Sequence, residues 1–121
     1  MARIKPFKGI RPPKDLIEQV AAQKDDDVRW QRELTLLRRL RKRSLMLPEE
    51  LVRDLARERS RSLGAWEDAY AANDFQLFAP AFTRLLTLVR ERAHELARGG
   101  DLYDALLDEF EPCMTRSRLD P

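Results

Sequence analysis

From residue 27 onward apolar residues recur at helical spacing. Trp30, Leu34, Leu37 and Leu40 or Arg41 follow the i, i+4, i+7 rule, and Leu36 widens the stripe, which predicts a helix from Asp27 to Arg43. Residues 24–27, Lys-Asp-Asp-Asp, set carboxylates where the unpaired N–H groups of a helix start carry partial positive charge. Pro48 suits a first helical position, with Glu49 and Glu50 in the first turn, and the series Leu51, Leu55, Leu63, Trp66, Tyr70 carries a second helix through Ala72. Its middle, Glu58 to Ser62, is polar, and Gly64 follows, so a weak or bent point is expected between Ser62 and Gly64. Asn73-Asp74 ends that helix. Phe75 and Phe78 fill a short connection, and Pro80 opens a third helix with Phe82, Leu85, Leu86, Val89, Ala93 and Leu96 as its apolar face, stopped by Gly99-Gly100. Asp101 caps a last helix lined by Leu102, Tyr103, Leu106, Leu107 and Phe110 and closed by Pro112, leaving a nine-residue tail. Upstream, Pro6, Gly9, Pro12 and Pro13 exclude a helix over residues 1–13, so these read as an extended arm followed by a short helix from Lys14 to Gln23.

The expected fold class is therefore all-α: three long helices plus one or two short ones, packed antiparallel, with an extended N-terminal arm. Composition agrees, since Leu, Arg and Ala supply 50 of the 121 residues while Val, Ile and Thr supply 11, which excludes an all-β fold. Four of the five lysines and all three isoleucines precede residue 25, after which arginine replaces lysine almost completely. That seam predicts two parts, a basic arm with a short helix over residues 1–24 and a helical body over 25–121. The net charge is only +2, but residues 1–43 hold +7 of it and residues 101–121 carry −4. No apolar run reaches the roughly 18 residues a membrane span needs, and no apolar leader follows the basic N-terminus, so a cytoplasmic location without membrane contact is expected.

Candidate chemistry is sparse. The single histidine, His94, cannot supply paired imidazoles for a zinc site, and the single cysteine, Cys113, cannot close an internal disulfide; they read as an exposed helix residue and an idle thiol. Asp104, Asp108, Glu109 and Glu111 are four carboxylates within eight residues, a pattern that acid/base or hard-cation chemistry could use, but at helical period opposite Tyr103, Leu106, Leu107 and Phe110 they read as a solvated face. The run Arg-Arg-Leu-Arg-Lys-Arg over 38–43 holds five cations in six residues without interleaved aromatics or a glycine-rich loop, so nucleic-acid binding is not expected of it. Trp30 and Trp66 occupy stripe positions and read as core or helix-pair packing. No catalytic, cofactor-binding or metal-ligating residue is assigned on these grounds.

From Val28 on the sequence resembles the carboxypeptidase Taq family of zinc peptidases, in the helical region upstream of the catalytic helix. The segments that carry the likeness are VRWQREL (28–34), the Leu-Pro-started stretch 47–82 with a tryptophan near the helix end and its turn residues Asn73, Asp74, Phe75, Phe78 and Pro80, and above all YDALLDEFEPCMT (103–115). The last is similar to the family's Y-D-A-L-L-D-x-Y-E-P-G-M, with Phe110 for the tyrosine and Cys113 for the glycine. If that glycine takes positive φ, a cysteine there costs on the order of 1 kcal/mol. Residues 1–23, with I-x-P-F-x-G-I-R-P, resemble instead the opening of a bacterial family known by a domain-of-unknown-function label, so the seam reads as a junction between a short foreign N-terminus and a truncated piece of peptidase scaffold.

The resemblance implies zinc held through H-E-x-x-H and a downstream glutamate, and removal of C-terminal residues from peptides. Those ligands are not among residues 28–121. The expectation is a non-catalytic helical fragment of metallocarboxypeptidase scaffold, without a cofactor of its own, that self-associates or packs against a separate C-terminal catalytic region. The alternative is a small helical module whose basic N-terminal half binds an acidic partner or RNA. A third possibility is an enzyme completed by a subunit bearing the zinc motif.

Overall fold

The computed structural model describes residues 14–23 and 27–120. These form six helices, α1 (Lys14–Ala22), α2 (Val28–Met46), α3 (Glu49–Ala72), α4 (Ala79–Ala97), α5 (Leu102–Leu107) and α6 (Arg116–Leu119), with a single 3-10 turn at Phe75–Leu77. The fold is all-α. The predicted arm over residues 1–13 lies outside the described residues, as does most of the acidic run at 24–26. Among the described residues no helix is long and apolar enough to cross a membrane.

The chain divides into two compact units, residues 1–46 and 47–121, so the division falls at the end of α2 and not at the lysine-to-arginine seam near residue 24. In the first unit α1 packs against α2, with Ile17 and Leu34 buried. Asp27 starts α2 by accepting the Arg29 N–H at 2.9 Å, a local bond that satisfies one of the orphan donors of the first turn. The helix runs three residues past the expected Arg43, and Ser44 returns its hydroxyl to the Arg41 carbonyl at 2.8 Å.

In the second unit α3 packs on α4 and on the 3-10 turn, and α5 packs on α4. Pro48 is the residue that precedes α3, with Glu49 and Glu50 in the first turn as the N-terminal dipole favours. The helix ends in a Schellman-type cap. Asn73 takes φ 51°, its N–H reaches the Tyr70 carbonyl at 3.2 Å, and the Asp74 N–H reaches the Ala69 carbonyl at 2.9 Å. Asp74 then accepts the Gln76 N–H at 2.9 Å to start the 3-10 turn, and Phe75, Phe78 and Phe82 cluster edge-on and tilted over the entry to α4 at centroid separations of 5.8–6.5 Å.

α3 runs without a break for 24 residues, through Ser62 to Gly64. Three sequence expectations are corrected here. The buried face of α3 is Leu51, Leu55, Glu58, Ser62 and Ala69, whereas Leu63, Trp66 and Tyr70 are exposed, so the series that extended through them mixes two faces of one helix. The last predicted helix stops at Leu107, short of Pro112; Phe110 is exposed, and the tail instead forms α6. On α2 only Leu34 of the predicted stripe is fully buried, while Trp30 and Leu37 are half-buried and Leu36 and Leu40 are exposed.

Candidate functional site

Two groups of charged side chains stand out against the helical frame. The first is at the C-terminal end. Asp101 caps α5 through Oδ1, which accepts the Asp104 N–H at 2.9 Å. Asp104 in turn accepts the Arg116 N–H at 2.6 Å, tying α5 to the first turn of α6. Asp108 accepts the Cys113 N–H at 3.0 Å, and Glu109 receives Arg92 Nη2 of α4 at 2.7 Å with the arginine side chain largely buried. A carboxylate that accepts backbone N–H or guanidinium bonds is held by charge-assisted contacts roughly twice as strong as neutral ones.

Three of the acidic residues foreseen as a solvated face also act as braces. Asp104, Asp108 and Glu109 fasten the C-terminal loop to itself and to α4, while Glu109 and Glu111 are exposed as the solvated reading expects. Their lone pairs are directed at protein donors, and among the described residues no group of three His, Cys, Asp or Glu side chains is placed to hold a metal ion.

The loop they hold contains a tight turn. The Met114 N–H donates to the Glu111 carbonyl at 3.0 Å, Pro112 occupies the second position and Cys113 the third, with φ 65°. A proline before a positive-φ residue defines a type II turn, whose third position glycine fills without strain. Cys113 thus stands at the turn position that glycine fills without strain, and its Cβ is the cause of the strain. Cys113→Gly is expected to stabilise the protein by about 1 kcal/mol, read as a higher urea midpoint. Cys113→Ala, which keeps the Cβ, should give no comparable gain.

The second group lies between α3 and α4. Glu58 is buried on the core face of α3, its carboxylate receiving Arg84 Nε of α4 at 2.9 Å, while the arginine side chain remains 59% exposed. One turn on, Ser62 is buried and its hydroxyl has no partner among the described residues. This arrangement clamps two helices. Sequence reasoning treated Glu58 as part of a polar interruption, and nothing local marks it as a core residue.

The remaining candidates are scattered. His94 is exposed in the last turn of α4, where its carbonyl accepts the Arg98 N–H at 3.2 Å. Arg38 pairs with Glu18 of α1 at 3.4 Å, and Arg39 and Arg43 also make interactions of their own. Trp30 is half-buried on α2. Trp66 stacks on Tyr70 at 5.4 Å on the exposed side of α3, contrary to the expected core packing. The open hollow beside Tyr103, Arg116, Leu119 and Asp120 is walled by surface side chains, with Arg116 already 3.6 Å from Asp120.

The second unit thus combines a Pro-started α3, an Asn-Asp turn under a phenylalanine cluster and a carboxylate-braced C-terminal loop. Comparison with known proteins bears on this directly. The carboxypeptidase Taq (M32) metallopeptidase profile matches residues 12–121, and the chain belongs to that family. It is 38% identical over 88 residues to thermostable carboxypeptidase 1 of Thermus thermophilus, covering 65% of this chain and 17% of that protein. To thermostable carboxypeptidase 1 of Pyrococcus furiosus it is 36% identical over 64 residues, covering 53% of this chain and 13% of that protein. A solved structure described as "The Structure of CHT" superposes with a TM-score of 0.75 at 27% identity, over 88% of this chain and 22% of the other. The chain thus spans less than a fifth of the length of these two curated relatives. The profile match begins upstream of the seam at residue 24 and takes in α1, so the lysine-to-arginine change lies inside the family region.

Proposed function

We propose that the chain is a non-catalytic scaffold segment of a zinc metallocarboxypeptidase, whose helices support and wall a peptide groove while the metal and its ligands come from polypeptide outside residues 1–121. The observation that carries this reading is the family match over nearly the whole chain combined with the donor set inside it. The zinc motif needs two histidines at i and i+4 on one helix face, and this chain has only His94, exposed at the end of α4. The residues present do not fit a zinc site, and no hydrolytic step is assigned to them. A cytoplasmic setting belongs to the same reading, supported by the single thiol.

The test is a transplant. Replacing the matched 88-residue stretch of the Thermus thermophilus carboxypeptidase by the corresponding residues of this chain should give a folded protein that holds zinc and removes C-terminal residues, within about tenfold of the parent. The isolated chain with added zinc should show no turnover above the blank. A transplant that is folded but has lost its zinc, or turnover by the isolated chain, would each overturn the proposal.

A further inference from the structure

α2 has two sides of different character. On one, Leu34 is buried where α1 packs against the helix, and Arg38 pairs with Glu18 of α1. On the other, about 200° around the helix from Leu34, Leu36 is 48% exposed, and Leu40 one turn later is 59% exposed. Arg29 and Arg32 stand on this outward side, both exposed and without an ion-pair partner among the described residues. Arg39 and Arg43, half-buried and with interactions of their own, continue it.

The spacing of the stripe indicates the shape that covers it. Residues 29, 32, 36, 39 and 43 are separated by three, four, three and four positions, the repeat of 3.5 residues that keeps a line of side chains against a second helix. The line runs about 21 Å along the axis. Its chemistry indicates what that second helix carries. Arginine fills four of the five positions, Leu36 the central one, and Leu40 lies beside it; Glu33 is the sole acid of α2, against seven basic residues. A guanidinium brought against another helix is best matched by a carboxylate, which its planar fork engages at two points. The leucines need apolar cover as well. A nucleic acid would satisfy the arginines with phosphates and leave Leu36 and Leu40 facing charge, so the stripe fits a polypeptide better.

We infer that the outward face of α2 docks an acidic helix of a partner polypeptide, with carboxylates set against Arg29, Arg32, Arg39 and Arg43 and apolar side chains against Leu36 and Leu40. This docking is independent of the scaffold reading above, because charge and repeat alone define the partner. Two leucines bury little surface, so the complex is weak and salt-dependent, dissociating on the order of tens of micromolar at 50 mM salt.

The probe is a labelled synthetic helical peptide of roughly 20 residues, with glutamate at the positions facing the four arginines and leucine at those facing Leu36 and Leu40. Fluorescence anisotropy with the full chain should give binding in that range, at least fivefold weaker at 500 mM salt. Arg32→Glu should weaken it about tenfold and bind better than the parent to the same peptide carrying lysine for glutamate, a gain that an unfolded variant would not show. Lys42→Glu makes the same change of net charge away from the stripe and should stay within about twofold of the parent. Leu36→Ala with Leu40→Ala should weaken binding about fivefold, and dichroism verifies that each variant folds. Four results would each overturn the inference: no binding to the glutamate peptide at 500 μM chain and 50 mM salt; equal losses for Arg32→Glu and Lys42→Glu, which reduces the effect to net charge; indifference to loss of the two leucines; or tighter binding of a single-stranded RNA or of phosphatidylserine vesicles than of the peptide at equal salt.

Discussion

Arg84→Met is expected to destabilise the second unit by about 2 kcal/mol, and Glu58→Met added to it is expected to recover most of that loss. The argument is an asymmetry of burial. Glu58 is on the core face of α3 with its side chain 9% exposed, and Arg84 Nε at 2.9 Å is its recorded partner, while Arg84 itself is 59% exposed. Removing the arginine leaves a carboxylate with little water and no cation. Breaking a fully buried pair this way costs about 3–5 kcal/mol, and access to water on the Arg84 side lowers the figure. Replacing the carboxylate as well removes the uncompensated charge and supplies apolar surface next to Leu55, where the helix already faces the core. Chemical denaturation of the four proteins in a double-mutant cycle reads the effect. Equal losses for the single and double variants would mean that the arginine stem, and not its charge, does the stabilising.

The starts of α2 and α5 and the end of α3 were legible in the sequence because capping is local. Asp27, Asp74 and Asp101 each accept an N–H two or three residues ahead, and Asn73 closes α3 in the left-handed conformation its short amide tolerates. The faces were harder to read. Helix period finds apolar residues but not which of two apolar faces has a neighbour, and in the second unit α3 is met by α4 and the 3-10 turn along one face only. Leu63, Trp66 and Tyr70 therefore read as core by pattern and stand in solvent by packing. The bracing role of the carboxylates of 104–109 was hidden for a related reason. Their partners, Arg92 and the N–H groups of Cys113 and Arg116, come from other elements or from the far side of a turn, so their spacing along α5 carries no trace of them. The strain at Cys113 was legible as an expectation from the Glu-Pro-Cys-Met turn, whose third position favours glycine.

In the first unit the corresponding expectation concerns α2, whose leucines look interchangeable along the chain. Leu34→Ala should cost about 3 kcal/mol, and Leu40→Ala less than about 1 kcal/mol. Leu34 is the largest fully buried side chain among the described residues, at 2% exposure, whereas Leu40 on the same helix is 59% exposed. Truncating a buried leucine loses the transfer energy of its methyl groups and leaves a cavity, with a usual range of about 2–5 kcal/mol. Truncating an exposed one removes surface that water already reaches and puts a better helix former in its place. The two variants differ by the same atoms, so propensity and side-chain entropy largely cancel between them and the difference isolates burial. Urea unfolding followed by dichroism at 222 nm measures both. A Leu40→Ala loss as large as that of Leu34→Ala would mean that the outward side of α2 is covered in solution, by a second copy or by some other polypeptide. Repeating the measurement across a hundredfold range of concentration separates these, because only the cover supplied by a second copy strengthens with concentration.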